Sequence, residues 1–103
     1  MVETPDQSLP VTIPEVVVKP TIPQIFSFSA VTWNRHQIHY NKDAALAEGH
    51  KDVVVQRALL GNFLALLLDR WLGQNGEVRK LSWKVLSSAL PGRELRCQGK
   101  ASI

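Results

Sequence analysis

Ala58-Leu59-Leu60-Gly61-Asn62-Phe63-Leu64-Ala65-Leu66-Leu67-Leu68, continuing through Asp69 and Arg70 to Leu72, is preceded by the run Val53-Val54-Val55-Gln56-Arg57. The first stretch reads as a helix so apolar that its three polar positions, Asn62, Asp69 and Arg70, cannot make a solvent face, so it must be wrapped by other elements. At ~1.5 Å per residue it is about 22 Å long, a length that a strand of six or seven residues crosses. The valines before it are β-branched and read as extended. Some 20 residues upstream of the helix lies Asn34-Arg35-His36-Gln37-Ile38-His39, which sets two histidines and an amide on one loop.

The chain has 103 residues, enough for one domain with a modest core, and its 45% hydrophobic and 20% charged content is that of a folded protein. A single cysteine, Cys97, cannot form an internal disulfide, and the first 20 residues carry Glu3, Asp6 and four prolines where a signal peptide would need an apolar core. The expected location is therefore the cytoplasm. The apolar helix is short of the ~20 residues needed to cross a membrane. Net charge is +3, unevenly placed: residues 1–78 hold six Lys/Arg against eight Asp/Glu, and residues 79–103 hold six against one. A positive field of that kind suits an acidic partner or a phosphate-bearing ligand. Nucleic acid is disfavoured, since aromatic residues are not interleaved with the basic set.

Outward from the helix, residues 1–23 are rich in proline and read as an extended or disordered lead-in, with Glu15–Lys19 as a short edge strand; residues 24–103 form the domain. From Ile25 to Thr32 the residues alternate, Phe26, Phe28 and Ala30 against Ser27, Ser29 and Val31, which predicts a half-buried strand. Asn41 caps a short helix from Lys42 to Ala47, and Gly49 stops it. After a turn at 73–76, Leu81, Trp83 and Val85 alternate with Lys80, Ser82 and Lys84. Pro91-Gly92 turns the chain, and Leu95 to Ile103 alternates again. These predict two paired antiparallel strands with one apolar face each, an α+β arrangement in which a sheet covers the helix.

The loop and the buried helix, in that order and at that separation, resemble the MaoC-like hot-dog acyl-thioester hydratases and dehydratases, and most closely the branch of hydroxyacyl-thioester dehydratase type 2 and mesaconyl-CoA hydratase. In that branch the loop reads Thr-Phe-Asn-x-His-x-Ile-His-Tyr; here it reads Thr32-Trp33-Asn34-Arg35-His36-Gln37-Ile38-His39-Tyr40. Aligned on the hydratase motif Asp-x-Asn-Pro-x-His, Asn34 stands at the Asp position and His39 at the catalytic His. The likeness implies an antiparallel sheet wrapped around a central helix. Hot-dog domains have about five long strands, so a chain ending at Ile103 inside an alternating segment is expected to be truncated at the C-terminus.

The resemblance also implies hydration of an enoyl thioester, or its reversal. His39 would act as the base near neutrality, and Asn34, which cannot titrate, would orient water. Backbone N–H groups at Arg57 and Ala58 would hold the thioester oxygen, where the family junction Val-Val-Gln-Gly is replaced by Val54-Val55-Gln56-Arg57. His36 and Gln56 would support the loop, and Lys80 and Lys84 would contact coenzyme A phosphates. No cofactor or metal is implied: His36-x-x-His39 is half a metal site, and the remaining candidates, His50, Cys97 and scattered carboxylates, have no recognisable ligand spacing. The expected partners are an acyl-CoA or other acyl thioester and a second hot-dog subunit, as homodimer or heterodimer, without nucleic acid or membrane. The alternative reading, favoured by Asn34 and Arg57, is a non-catalytic hot-dog subunit that partners an active one. Read without the resemblance, two histidines on a loop are ordinary hydrogen-bonding residues.

Overall fold

The computed structural model describes residues 11–102, so the expected lead-in up to residue 10, and Ile103, lie outside the described residues. Strand β1 runs Val11–Val18 and pairs antiparallel with β2, Leu95–Ala101, from Val11 opposite Ala101 to Val18 opposite Leu95. Pro14 has no N–H to give the ladder, and the register slips between Ile13 and Val16, a bulge that removes the demand for that donor. Residues 11–18, read from the sequence as a lead-in with a short edge strand, thus contribute Ile13 and Val16 to the core.

The expected strand at Ile25–Thr32 is a helix, α1, spanning Ile22–Thr32. Thr21 caps it by accepting from the Gln24 N–H while Gln24 reaches back to the Thr21 N–H, and Pro23 sits in the first turn, where a missing donor costs nothing. The same residues that alternate also place Ile25, Phe28 and Ser29 on one helical stripe, and it is this stripe that turns inward. Helix α2, Lys42–Ala47, is capped by Asn41 as expected, and Gly49 has φ 93°.

Helix α3 spans Arg57–Leu72 and buries Leu59, Gly61, Phe63 and Leu67 against Ile13 and Val16 of β1, Ile25 of α1, Val55 and Cys97 of β2. The helix is not wrapped all round by the described residues: Leu64, Ala65 and Leu68 are half-buried and Ala58 is exposed. Val53, Val54 and Val55 are all buried but form no strand. Their backbone is satisfied by separate partners, Val54 N–H to Ile38 O at 3.0 Å and Val55 N–H to Ala89 O at 2.9 Å.

The expected strand at Leu81–Val85 is also absent, and residues 77–90 run without regular structure; β2 therefore pairs with β1 and not with this segment. Side chains hold the segment where a ladder was expected. The Trp83 indole N–H donates to Arg57 O at 3.0 Å, Arg57 donates to Trp83 O at 3.2 Å, and the ring lies over Gly61. A Cβ at Gly61 would come 2.5 Å from the ring carbons. No helix among the described residues is long and apolar enough to cross a membrane.

Two outcomes follow from this packing. Gly61→Ala should lower unfolding free energy by about 1–3 kcal/mol through overpacking, read by urea denaturation with Trp fluorescence reporting displacement of Trp83. Burial, and secondarily the Glu15 carboxylate, push the Cys97 thiol above its ordinary value. Folding thus keeps the thiol protonated where the unfolded chain ionises. The stability this contributes is complete below the unfolded thiol's range and is lost as pH rises through the folded value. Iodoacetamide at pH 8 should label native Cys97 slowly and the urea-unfolded chain quickly, as counted by mass; equal rates would refute the burial.

Candidate functional site

The loop leaving α1 is built by short-range polar contacts. Trp33 ends the helix in the left-handed conformation, φ 56°, and Asn34 Oδ1 accepts the His36 N–H at 3.3 Å. His36 caps a 3-10 turn, Gln37–His39, by accepting the Ile38 N–H at Nδ1, 3.4 Å, and Tyr40 closes the loop by donating its hydroxyl to Arg35 O at 2.9 Å. These contacts give Asn34 and His36 turn-forming work.

His39 closes the turn and is buried, at 8% exposure. Its Nδ1 lies 2.8 Å from Val54 O, and since a carbonyl only accepts, the proton is on Nδ1. In the neutral ring the lone pair is then on Nε2. The ring borders a cleft of about 350 Å³ that also takes in Phe26, Tyr40, Lys42, Asp52 and Val53. Lys42 and Asp52 were not read as site residues from the sequence. The available signals were their positions beside the Asn41 cap and at the head of the valine run; Asp52 Oδ1 accepts the Val53 N–H at 2.7 Å.

Asn34 borders a different cleft, of about 200 Å³, with Ser29, Trp33 and Arg35. Phe26 and Tyr40, packed edge to face with centroids 6.4 Å apart, line both clefts and form a shared wall. The expected pair His39 and Asn34 thus line different clefts.

The start of α3 has the free N–H groups expected of it, because the first ladder bond described is Leu60 N–H to Gln56 O at 3.1 Å. Gln56 does not cap them. Its amide is fully buried and donates from Nε2 to Ile25 O at 2.7 Å and Ser29 Oγ at 2.8 Å, pinning α1 to the head of α3 and leaving its Oε1 without a partner. Arg57 is exposed and committed to Trp83, its guanidinium 5.7 Å from the ring centroid. Neither Arg57 nor Ala58 borders the His39 cleft.

Lys80 and Lys84 are exposed, and only Lys84 borders the groove of about 430 Å³ between α3, β2 and residues 83–89. The two lysines do not converge on one cavity. Arg96 is neutralised by Glu15 at 3.0 Å, with Glu94 at 3.7 Å. The His36 and His39 rings are 6.0 Å apart with each Nδ1 engaged by backbone, and no three His, Cys, Asp or Glu side chains gather into a metal site among the described residues.

The family model for hydroxyacyl-thioester dehydratase type 2 matches residues 3–91. A solved structure, the ChsH1-ChsH2 complex from Mycobacterium tuberculosis, superposes with a TM-score of 0.84 at 16% identity, over 94% of this chain and 76% of that one. That likeness shows the α+β hot-dog fold, of which the described residues supply the helix and two strands. No curated protein matches the chain.

Gln56→Ala should cost about 1–3 kcal/mol by removing both donors to α1, measured by chemical denaturation. A change within 0.5 kcal/mol would show that the amide does not pin the helices.

Proposed function

The chain belongs to the hydroxyacyl-thioester dehydratase type 2 family, and from that membership and the geometry at His39 we propose that it hydrates an enoyl thioester, or dehydrates the 3-hydroxyacyl thioester, with coenzyme A as the carrier. In the hydration direction, Nε2 of His39 takes a proton from water as the water oxygen bonds to C3. The electron pair of the double bond moves onto C2 and the thioester oxygen, and the proton taken up by Nε2 is then delivered to C2, which returns the imidazole to its starting form. The observation that carries this reading is the Nδ1 to Val54 O contact, which holds the imidazole in the tautomer whose Nε2 can accept. The cleft that His39 borders also holds an ammonium and a carboxylate, Lys42 and Asp52.

A second reading is favoured by two specific observations. Asn34 lines a different cleft from His39, and Arg57 and Ala58 at the head of α3 do not line the His39 cleft. A subunit arranged in this way would form its site with a partner subunit. The solved relative by fold is itself a two-component complex.

Purified protein should consume short- or medium-chain enoyl-CoA, followed by loss of the conjugated thioester absorbance. His39→Ala should lower turnover ~10²–10⁴-fold. It also orphans Val54 O, so a stability loss of about 1–3 kcal/mol is expected, and turnover is compared at a temperature where circular dichroism shows both proteins folded. Turnover undiminished in His39→Ala would remove the mechanism. A silent parent that gains turnover with an active hot-dog subunit, together with a heterodimer by light scattering, would establish the second reading in its place.

A further inference from the structure

We propose that Trp33 and Arg35, with the Phe26–Tyr40 wall, bind the nucleotide end of coenzyme A, an adenine ring and its phosphates, beside the His39 cleft. This rests on the acyl-thioester reading above, and it moves the phosphate contacts from Lys80 and Lys84 to the loop that leaves α1.

Trp33 is the one residue other than glycine with positive φ among the described residues, φ 56° and ψ 29°, at a helix end where glycine or asparagine is the ordinary occupant. The strained turn places the indole outward, 79% exposed, so the chain's own packing does not repay the conformation. Arg35 lies over that ring with its guanidinium carbon 5.9 Å from the centroid. No carboxylate pairs with Arg35 among the described residues. A guanidinium carried over an indole and free of any carboxylate is placed to meet a phosphate, and an indole this exposed offers ring surface to a second ring.

The cleft here is bordered by Phe26, Ser29, Trp33, Asn34, Arg35 and Tyr40, with no acidic side chain. Its far wall is Phe26 and Tyr40, which also border the His39 cleft. A thioester seated at His39 therefore has a continuous aromatic edge over which its carrier runs to Trp33, ending on an unpaired cation. Bases stack on exposed aromatic rings because every base has a π face, and neighbouring cations supply the phosphate attraction. Lys80 and Lys84 have no comparable aromatic platform in common.

Calorimetry of the full chain with coenzyme A, adenosine 3′,5′-bisphosphate and phosphopantetheine tests the site. Trp33→Gly and Arg35→Gln should each weaken coenzyme A and the bisphosphate about tenfold, leave phosphopantetheine unchanged, and in the case of Arg35→Gln flatten the salt dependence. Because glycine accepts positive φ, Trp33→Gly should unfold no more easily than the parent, which separates lost binding from lost structure. Lys80→Gln with Lys84→Gln should bind as the parent does. Parent-like bisphosphate affinity in Trp33→Gly and Arg35→Gln overturns the proposal. So does a parent that binds no coenzyme A at millimolar concentration, or a Trp33→Gly chain that loses a subunit partner by light scattering while its coenzyme A affinity holds. Coenzyme A bound through Trp33 without turnover of any enoyl-CoA would sink the hydratase reading and leave this site standing. Turnover with unchanged KM in both variants would do the reverse.

Discussion

The peptide of Val54 is gripped at both ends by the histidine loop: its N–H donates to Ile38 O at 3.0 Å and its carbonyl accepts from His39 Nδ1 at 2.8 Å. Everything that makes the site a site hangs on this pair. Val54 is buried between Val53 and Val55, two residues ahead of Gln56 at the N-terminal boundary of α3, so the loop is fastened to the head of the central helix and not merely to a neighbouring loop. One bond of the pair also sets imidazole chemistry, because the carbonyl dictates where the proton sits. A buried backbone group has to be paired in any fold; here the pairing orients a catalytic candidate at the same time.

Gln56 performs the matching task one step further along. Its buried amide reaches the Ile25 carbonyl and the Ser29 hydroxyl, and so the first turn of α3 is left without a side-chain cap. The N–H groups there remain available while α1 is locked in place. Arg57, which follows, is drawn off by Trp83, whose ring also sits on Gly61. The head of α3 is thus surrounded by three attachments, to the loop, to α1 and to residues 77–90, none of which belongs to a β ladder.

Two clefts that share an edge-to-face pair of rings give the molecule a division of surface. One is lined by His39, Lys42 and Asp52; the other by Trp33 and Arg35, aromatic and cationic. The basic excess of the C-terminal region does not form a third such site. Arg96 is held by Glu15 and Glu94, and the remaining cations are dispersed over solvent-facing positions, where screened pairs contribute little.

Local pattern was enough to determine much of this. The apolar run predicts α3 to within one residue, Asn41 and Gly49 bound α2, and alternation from Leu95 places Cys97 inside and Arg96, Gln98 and Lys100 outside. The loop motif singled out His39 and assigned His36 a supporting role, for which the structure supplies a hydrogen bond. Periodicity states which face of an element is apolar but not what will cover it, and there the tertiary structure decided. Residues 25–32 carry a pattern compatible with period 2 and with a helical stripe, and the Thr21–Gln24 cap together with Gln56, 31 residues away from Ile25, selects the helix. Leu95–Ala101 had an adjacent candidate partner in Leu81–Val85, yet it pairs with Val11–Val18, because Trp83 is committed to α3 and β1 brings Ile13 and Val16 to the same core. Asn34 and His39 are five residues apart yet line different clefts. A distance along the chain fixes neither which side chains share a cavity nor which are walled apart, since that depends on groups contributed from elsewhere in the fold.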